Sequence, residues 1–297
     1  MYLRLNSDEL AIQDIFRSFF ESECSIERVR TSQHTGFDTE AWERLVETGA
    51  PGMCLPEHIG GGGAPLTTGA IVADLVGEFV APLPFIEHLV ASRLLASLAP
   101  DHDLIPALIS GEKIASLALQ PTEDDQAKLV PGGAIADAVI ACKGNDLVVT
   151  SGDDSISLLR NTADLPLAHR SLNDAETIAS GGAAVERFSR ARSEWQALMA
   201  VALTGLGRKA VDIGVAYAKE RYQFGVLIGS FQGLQHGFAS AITGVEGSHF
   251  LSNRAVSALE NDSDLGERLA GMAFLFASEA ALDASAASLQ YHGGYGF

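Results

Sequence analysis

Apolar residues in this chain recur at two periods, and the period switches twice. From residue 7 to about 111 they return every three to four positions, as in Ile12, Ile15, Phe16 and Phe19, which stacks them on one helical face. Between about 114 and 192 they come as short runs bounded by Gly, Asn, Asp or Pro, at 115–119, 138–142, 147–150, 155–159 and 185–188. Runs of that kind read as strands. From 194 to 290 the helical spacing returns. Blocks in the order helix, strand, helix do not alternate as a doubly wound sheet would. The pattern predicts a mainly α protein with an N-terminal helical domain over 1–112, a small, shortened middle β domain over 113–192 and a C-terminal domain of four-helix-bundle type, read as incomplete, over 193–297.

Within the first block, Ser7 is the expected N-cap of the first helix, and Trp42, Leu45 and Val46 mark a short one. Residues 51–65 hold Gly52, Gly60, Gly61, Gly62 and Gly63 beside three prolines, too many breakers for a regular element, so a loop is expected there. Helices follow at 67–79 and 85–98, separated by Pro82 and Pro84. In the last block the spacing predicts helices over 195–221, 231–259 and 265–290. Leu265, Leu269, Met272 and Phe276 form the stripe expected to face a bundle core.

With 47% hydrophobic and 20% charged residues, the chain belongs to the folded globular class. A net charge of −18 makes nucleic acid and anionic membranes poor partners, so an anionic ligand must meet a local cationic patch. Three cysteines, Cys24, Cys54 and Cys142, lack metal-ligand spacing and suggest neither a disulfide framework nor a metal site. Arg4, Asp8 and Glu9 leave no room for a secretory apolar region, and no later apolar run is expected to reach the ~18 residues of a membrane span. The expected setting is the cytoplasm.

Two segments carry residues suited to chemistry. Arg221 ends a helical stretch and precedes Gln223, Phe224 and Gly225; its guanidinium can grip phosphate oxygens as a two-pronged donor. On spacing alone it could equally complement the helix C-terminus, worth roughly 0.3–1 kcal/mol. Phe224 and Phe231 likewise read as core aromatics or binding residues, and His236 as a half-buried histidine. The closing segment runs Gln290-Tyr291-His292-Gly293-Gly294-Tyr295-Gly296-Phe297, where Gly-Gly by itself reads as a helix C-cap.

Together these segments resemble the acyl-CoA dehydrogenase family, as does Leu55-Pro56-Glu57-His58-Ile59-Gly60-Gly61-Gly62 nearer the start. The three stand in the family's order, and the fold implied is helical, β, helical. The resemblance implies that Arg221 and Gln223 bind the pyrophosphate of FAD across a subunit interface. It implies that Phe224, Ile228, Phe231 and Leu234 line the adenosine end. Gln290, Gly293 and Gly294 would let the backbone approach the ADP moiety.

The family removes an α-proton with a carboxylate while the β-carbon gives hydride to flavin. Most members hold that glutamate about twenty residues beyond the Gly-Gly pair, where this sequence has no residues. Some place it near the start of the first bundle helix; Glu194 is the candidate there, although Trp195 is the residue in register. After Ala118-Leu119-Gln120-Pro121-Thr122 the family has a Trp-bearing strand against the flavin ring, and this chain passes almost directly to Val130-Pro131-Gly132. The resemblance therefore implies a base-lacking subunit of an α2β2 heterotetramer that acts with a homologous catalytic subunit on an acyl-CoA, possible substrates including steroid side-chain esters, and with electron-transfer flavoprotein or a similar acceptor. By itself it would be inactive. A flavin-free scaffold and a truncated active homomer are the alternatives.

Overall fold

The computed structural model describes residues 5–152, 156–261 and 264–296. Helix α1 (Ser7–Glu23) starts with a reciprocal capping box. The Asn6 side-chain oxygen accepts from the Asp8 and Glu9 amides at 2.9 Å each, and the Glu9 carboxylate accepts from the Asn6 amide at 2.8 Å. The cap is therefore Asn6 and not the expected Ser7, because the longer amide side chain reaches two orphan donors at once. Helices α2 (Ile26–Thr31), α3 (Thr39–Glu47), α4 (Leu66–Glu78), α5 (Phe85–Leu98) and α6 (Ile105–Ser110) follow. Asp38 caps α3 by accepting from the Ala41 amide at 3.0 Å. The expected loop at 51–65 is a loop, tightened by short 3-10 turns at Ala50–Gly52 and Glu57–Ile59.

Six strands come next: β1 (Ala115–Leu117), β2 (Gln126–Val130), β3 (Ala138–Lys143), β4 (Asp146–Ser151), β5 (Ala168–Ser171) and β6 (Glu176–Ser180). β1, β3, β4 and β6 form a sheet in that order, with β1 parallel to β3 and the other neighbours antiparallel; β2 and β5 form a separate antiparallel pair. Residues 138–141 of the inner strand β3 are buried on both faces, which is why that run is uniformly apolar. Two expected strands are corrected. Residues 185–188 lie in helix α7 (Gly182–Glu220), where Ala184, Phe188 and Ala191 bury one face at helical spacing. Residues 156–159 carry no strand, and Ser155 lies outside the described residues. The stretch that the resemblance left without a strand holds β2, which has no tryptophan.

The chain closes with the hairpin β7 (Tyr222–Gln223) and β8 (Val226–Leu227), then α8 (Gln232–Glu260) and α9 (Asp264–Tyr291). Contacts divide it into two compact units: Phe19–Gly69 with Pro82–Trp195, and Met1–Ser18 with Ala70–Ala81 and Gln196–Phe297. The first is centred on fully buried Phe20, Leu45, Phe85, Leu89, Leu117 and Ile140. In the second, Arg208 bonds both Asp74 carboxylate oxygens at 2.9 and 3.0 Å, and α9 lies along α8.

The stripe expected to face that bundle core points the other way. Leu265, Met272 and Phe276 are 41, 57 and 38% exposed, and Leu269 is half-buried. The buried face is Ala270, Ala273, Ala277, Ala281, Ala284 and Ser288. Small side chains let the helix backbones approach closely, and the large ones are turned outward. Its 28 residues, with a mean hydropathy of 1.2 over 18 of them, make α9 long and apolar enough, by length and composition, to cross a membrane, although Glu279 and Asp283 interrupt its apolar run.

Candidate functional site

Arg221 sits where α7 turns into the β7–β8 hairpin. Its amide donates to the Tyr217 carbonyl and its own carbonyl accepts from the Ile228 amide, both at 2.9 Å, so the base of the hairpin is pinned around it. The two-residue turn is Phe224-Gly225, with φ of 54° and 80°. Both positions are left-handed, as a type I′ hairpin turn requires, which Gly225 meets freely. Phe224 adopts it at a cost of about 1 kcal/mol. Its ring is 91% exposed and meets Phe231 edge-on at 6.2 Å.

The facing wall is the end of α9. The His292 Nδ1 donates to the Ser288 carbonyl at 2.7 Å, which fixes the ring, and the ring stacks on Tyr217 at 4.2 Å. Tyr291 turns inward, edge-on to Phe238 at 4.7 Å. Gly293 then takes φ of 60° and opens a 3-10 turn, Gly293–Gly296. Nothing lies within 4 Å of where a Cβ would stand on Gly293 or Gly294, so this backbone faces open space. The Tyr295 ring lies beneath the guanidinium, with Arg221 Cζ 5.1 Å from its centroid.

Between the walls is a cavity of about 590 Å³. Arg221, Gln223, Phe224, Ile228, Phe231, Leu234, Gln290, Gly293 and Gly294 all line it, so the structure brings every binding residue inferred from the sequence to one place. Tyr217, Tyr291, His292 and Tyr295 line it as well. None of these four was singled out from the sequence, although Tyr217 stands one turn before Arg221 and the other three lie in the closing segment. His236 is exposed on α8 and is not part of the lining.

The lining contains no carboxylate, and among the described residues Arg221 makes no ion pair. Gln223, Phe224, Phe231, Gln290 and Tyr295 are exposed, so the cavity is open on one side. It can hold an anionic group against one uncompensated guanidinium and a flat ring system against aromatic edges.

Glu194 belongs to the other unit and does not line this cavity. It is 7% exposed and accepts from Arg93 Nε at 3.0 Å and Nη2 at 3.4 Å, while Arg93 Nη1 donates to the Cys54 carbonyl at 2.9 Å. Beside it, Trp195 Nε1 donates to Glu87 at 3.2 Å. Burial pushes the Glu87 carboxyl upward.

Residues 6–112 match the acyl-CoA dehydrogenase N-terminal domain and residues 183–297 the acyl-CoA dehydrogenase C-terminal domain. Acyl-CoA dehydrogenase IpdE2 of Mycolicibacterium smegmatis is 28% identical over 98% of this chain and 88% of its own length. IpdE2 of Mycobacterium tuberculosis is 29% identical, over 90% and 79%. A variant of the Tcur3481–Tcur3483 steroid ACAD superposes with a TM-score of 0.86 at 25% identity, covering 97% of this chain and 88% of that one. The ChsE4–ChsE5 complex from Mycobacterium tuberculosis superposes with a TM-score of 0.89 at 21% identity over 100% and 89%, which speaks for the fold. Two domains matched in order, relatives matched over 88% and 79% of their own length and a shared architecture make this chain a member of the acyl-CoA dehydrogenase family.

Proposed function

We propose that this chain is the non-catalytic subunit of a heteromeric, FAD-dependent acyl-CoA dehydrogenase, and that its cavity completes a flavin site with a homologous catalytic subunit. The observation that carries the reading is the convergence of the Arg221 segment and the Gln290–Gly294 segment on one open cavity without a carboxylate. Its residues fit the ADP half of FAD. Arg221 and Gln223 would hold pyrophosphate oxygens, Phe224, Phe231, Ile228 and Leu234 would pack the adenosine, and the bare backbone at Gly293-Gly294 leaves room for close approach. When bound, the flavin supplies the hydride acceptor.

Two features support a partner. The cavity is open, so it needs a second surface to exclude water. On α9, Leu265, Met272, Leu275, Phe276, Leu282 and Leu289 are all at least 38% exposed, an apolar face of the kind that marks association. Two of the similar structures are named for two components, Tcur3481–Tcur3483 and ChsE4–ChsE5, the second as a complex. A non-catalytic role is supported by Glu194, since a base must reach the substrate's α-carbon and this carboxylate is clamped by Arg93. The proposed substrate is an acyl-CoA thioester, steroid-derived by analogy with the Tcur3481–Tcur3483 name. Electron-transfer flavoprotein or a similar acceptor, in the cytoplasm, completes the proposal.

The test is co-expression with a homologous catalytic subunit. A yellow complex is expected, with little flavin on this chain alone, and Arg221→Ala is expected to lower flavin absorbance per complex at least tenfold. Stoichiometric FAD and full activity in the isolated chain would overturn the partner role. Unchanged flavin in the Arg221→Ala complex would favour a flavin-free scaffold.

A further inference from the structure

Helix α9 carries a second periodicity on its outward side. Counted in heptads from Leu265, the first positions are Leu265, Met272, Glu279 and Ala286. The fourth positions are Arg268, Leu275, Leu282 and Leu289. Every one of them is exposed, Leu275 and Leu282 at 68 and 69%, while the buried alanines occupy the opposite side of the helix. Apolar side chains alternating at intervals of three and four residues form the seam that a second helix covers by interlocking its own side chains.

Two charges interrupt the seam, Arg268 and Glu279. Neither forms an ion pair among the described residues. Polar residues within such a seam fix the register and direction of the helix that meets it. Two copies of α9 lying parallel would set Arg268 on Arg268 and Glu279 on Glu279, like against like. Two antiparallel copies related by a two-fold axis can instead bring Arg268 opposite Glu279, and the symmetry makes that pair twice. The same register sets Met272 against Leu275 and Leu265 against Leu282, so apolar seam positions meet apolar seam positions. Sliding one copy by a heptad in either direction places Arg268 against Ala286 or Met272, covering its charge without a carboxylate. The seam is therefore complementary to itself in one antiparallel register.

We propose that α9 is a homotypic docking surface, on which a second copy of this chain lies antiparallel with Arg268 paired to Glu279. This names what covers the apolar face of α9 and does not rest on the flavin reading, because no seam residue lines the Arg221 cavity.

Sedimentation velocity of the purified full-length chain tests the contact first, and two copies per particle are expected. Arg268→Glu and Glu279→Arg should each raise the dissociation constant of the pair about tenfold or more, and the double variant carrying both should restore the parent value. Leu275→Glu should dissociate the pair and leave the helical circular dichroism unchanged, since that side chain is 68% exposed. Disulfide trapping extends the test to a complex with a co-purified partner. Arg268→Cys combined with Glu279→Cys should give a covalent dimer of this chain on mild oxidation. Neither single variant should, because like positions in this register stand about 16 Å apart along the helix axis. A particle with one copy of this chain, a charge-swapped double variant that associates no better than the single ones, or no covalent dimer from the double cysteine variant would overturn the proposal. Those outcomes leave flavin absorbance as it was, whereas failure of the flavin reading shows in the Arg221→Ala complex with its copy number unaltered.

Discussion

In the cavity at the end of α9, Arg221 lies over a tyrosine ring with no carboxylate in the lining, whereas Arg93 in the other unit is clamped by Glu194 and a backbone carbonyl. The second arrangement is satisfied from within the chain, and its removal should be felt as lost stability. The first holds a charge, a strained phenylalanine and bare glycine backbone toward open space, and its removal should be felt as lost binding. A charged group with no counter-charge among the described residues is a candidate to meet one from outside the chain.

The sharpest way to break this contrast is Glu194→Ala. Leaving Arg93 without its carboxylate should cost about 3 kcal/mol, the low end for a broken buried pair because the Arg93 side chain keeps 25% exposure. Urea unfolding measures it, and a cost under about 1 kcal/mol would erase the distinction.

His88 extends the internally satisfied case. Its Nε2 donates to the Leu108 carbonyl at 3.0 Å and its Nδ1 accepts from the Ala115 amide at 3.3 Å, so the neutral ring is fully used. Burial pushes His88 down to about 4, against the pull of the Leu108 carbonyl. Between there and its ordinary 6.5 the folded state binds fewer protons than the unfolded chain, so stability is full above 6.5 and falls as pH drops toward 4. The loss by pH 5 should be about 2 kcal/mol. Glu87 works in the opposite sense: its raised carboxyl stabilises at low pH, and that contribution is lost as pH rises through its folded value. Urea midpoints of a Glu87→Gln variant at pH 7 and 5 isolate the histidine.

At the open cavity the signs change. Phe224→Gly relieves the left-handed strain and should raise stability by about 0.5 kcal/mol while reducing flavin retention. Arg221→Ala should move the unfolding midpoint least of all, by less than about 0.5 kcal/mol, although it is expected to empty the flavin site. A large stability loss there would mean that Arg221 is structural after all.

Period and punctuation made much of this legible. Helix α5 falls at 85–98 as its spacing requires, and β3 and β4 stand where their apolar runs predict them. Strands β5 and β6 escaped notice because Ala-His-Arg-Ser and Glu-Thr-Ile-Ala-Ser carry no apolar run, their pairing coming from backbone hydrogen bonds to neighbours distant in sequence. The nine residues proposed to bind flavin, all in the cavity lining, were legible because the two segments match the family's motifs. Tyr217 and Tyr295 were not singled out, since their part depends on the hairpin and the end of α9 meeting.

By itself, then, the sequence determined the succession of helical and β blocks, the two segments that line the Arg221 cavity and the acidity that any anion site must overcome locally. All of these are properties of neighbours along the chain. Only the tertiary structure decided which face of α9 is buried, since a stripe of leucines and a stripe of alanines are both periodic and the close approach of α8 selects the alanines. It also decided that Glu194 is locked while Arg221 is not. Charge pairing depends on what folding brings within a few ångströms, and Arg93 lies 101 residues from its partner.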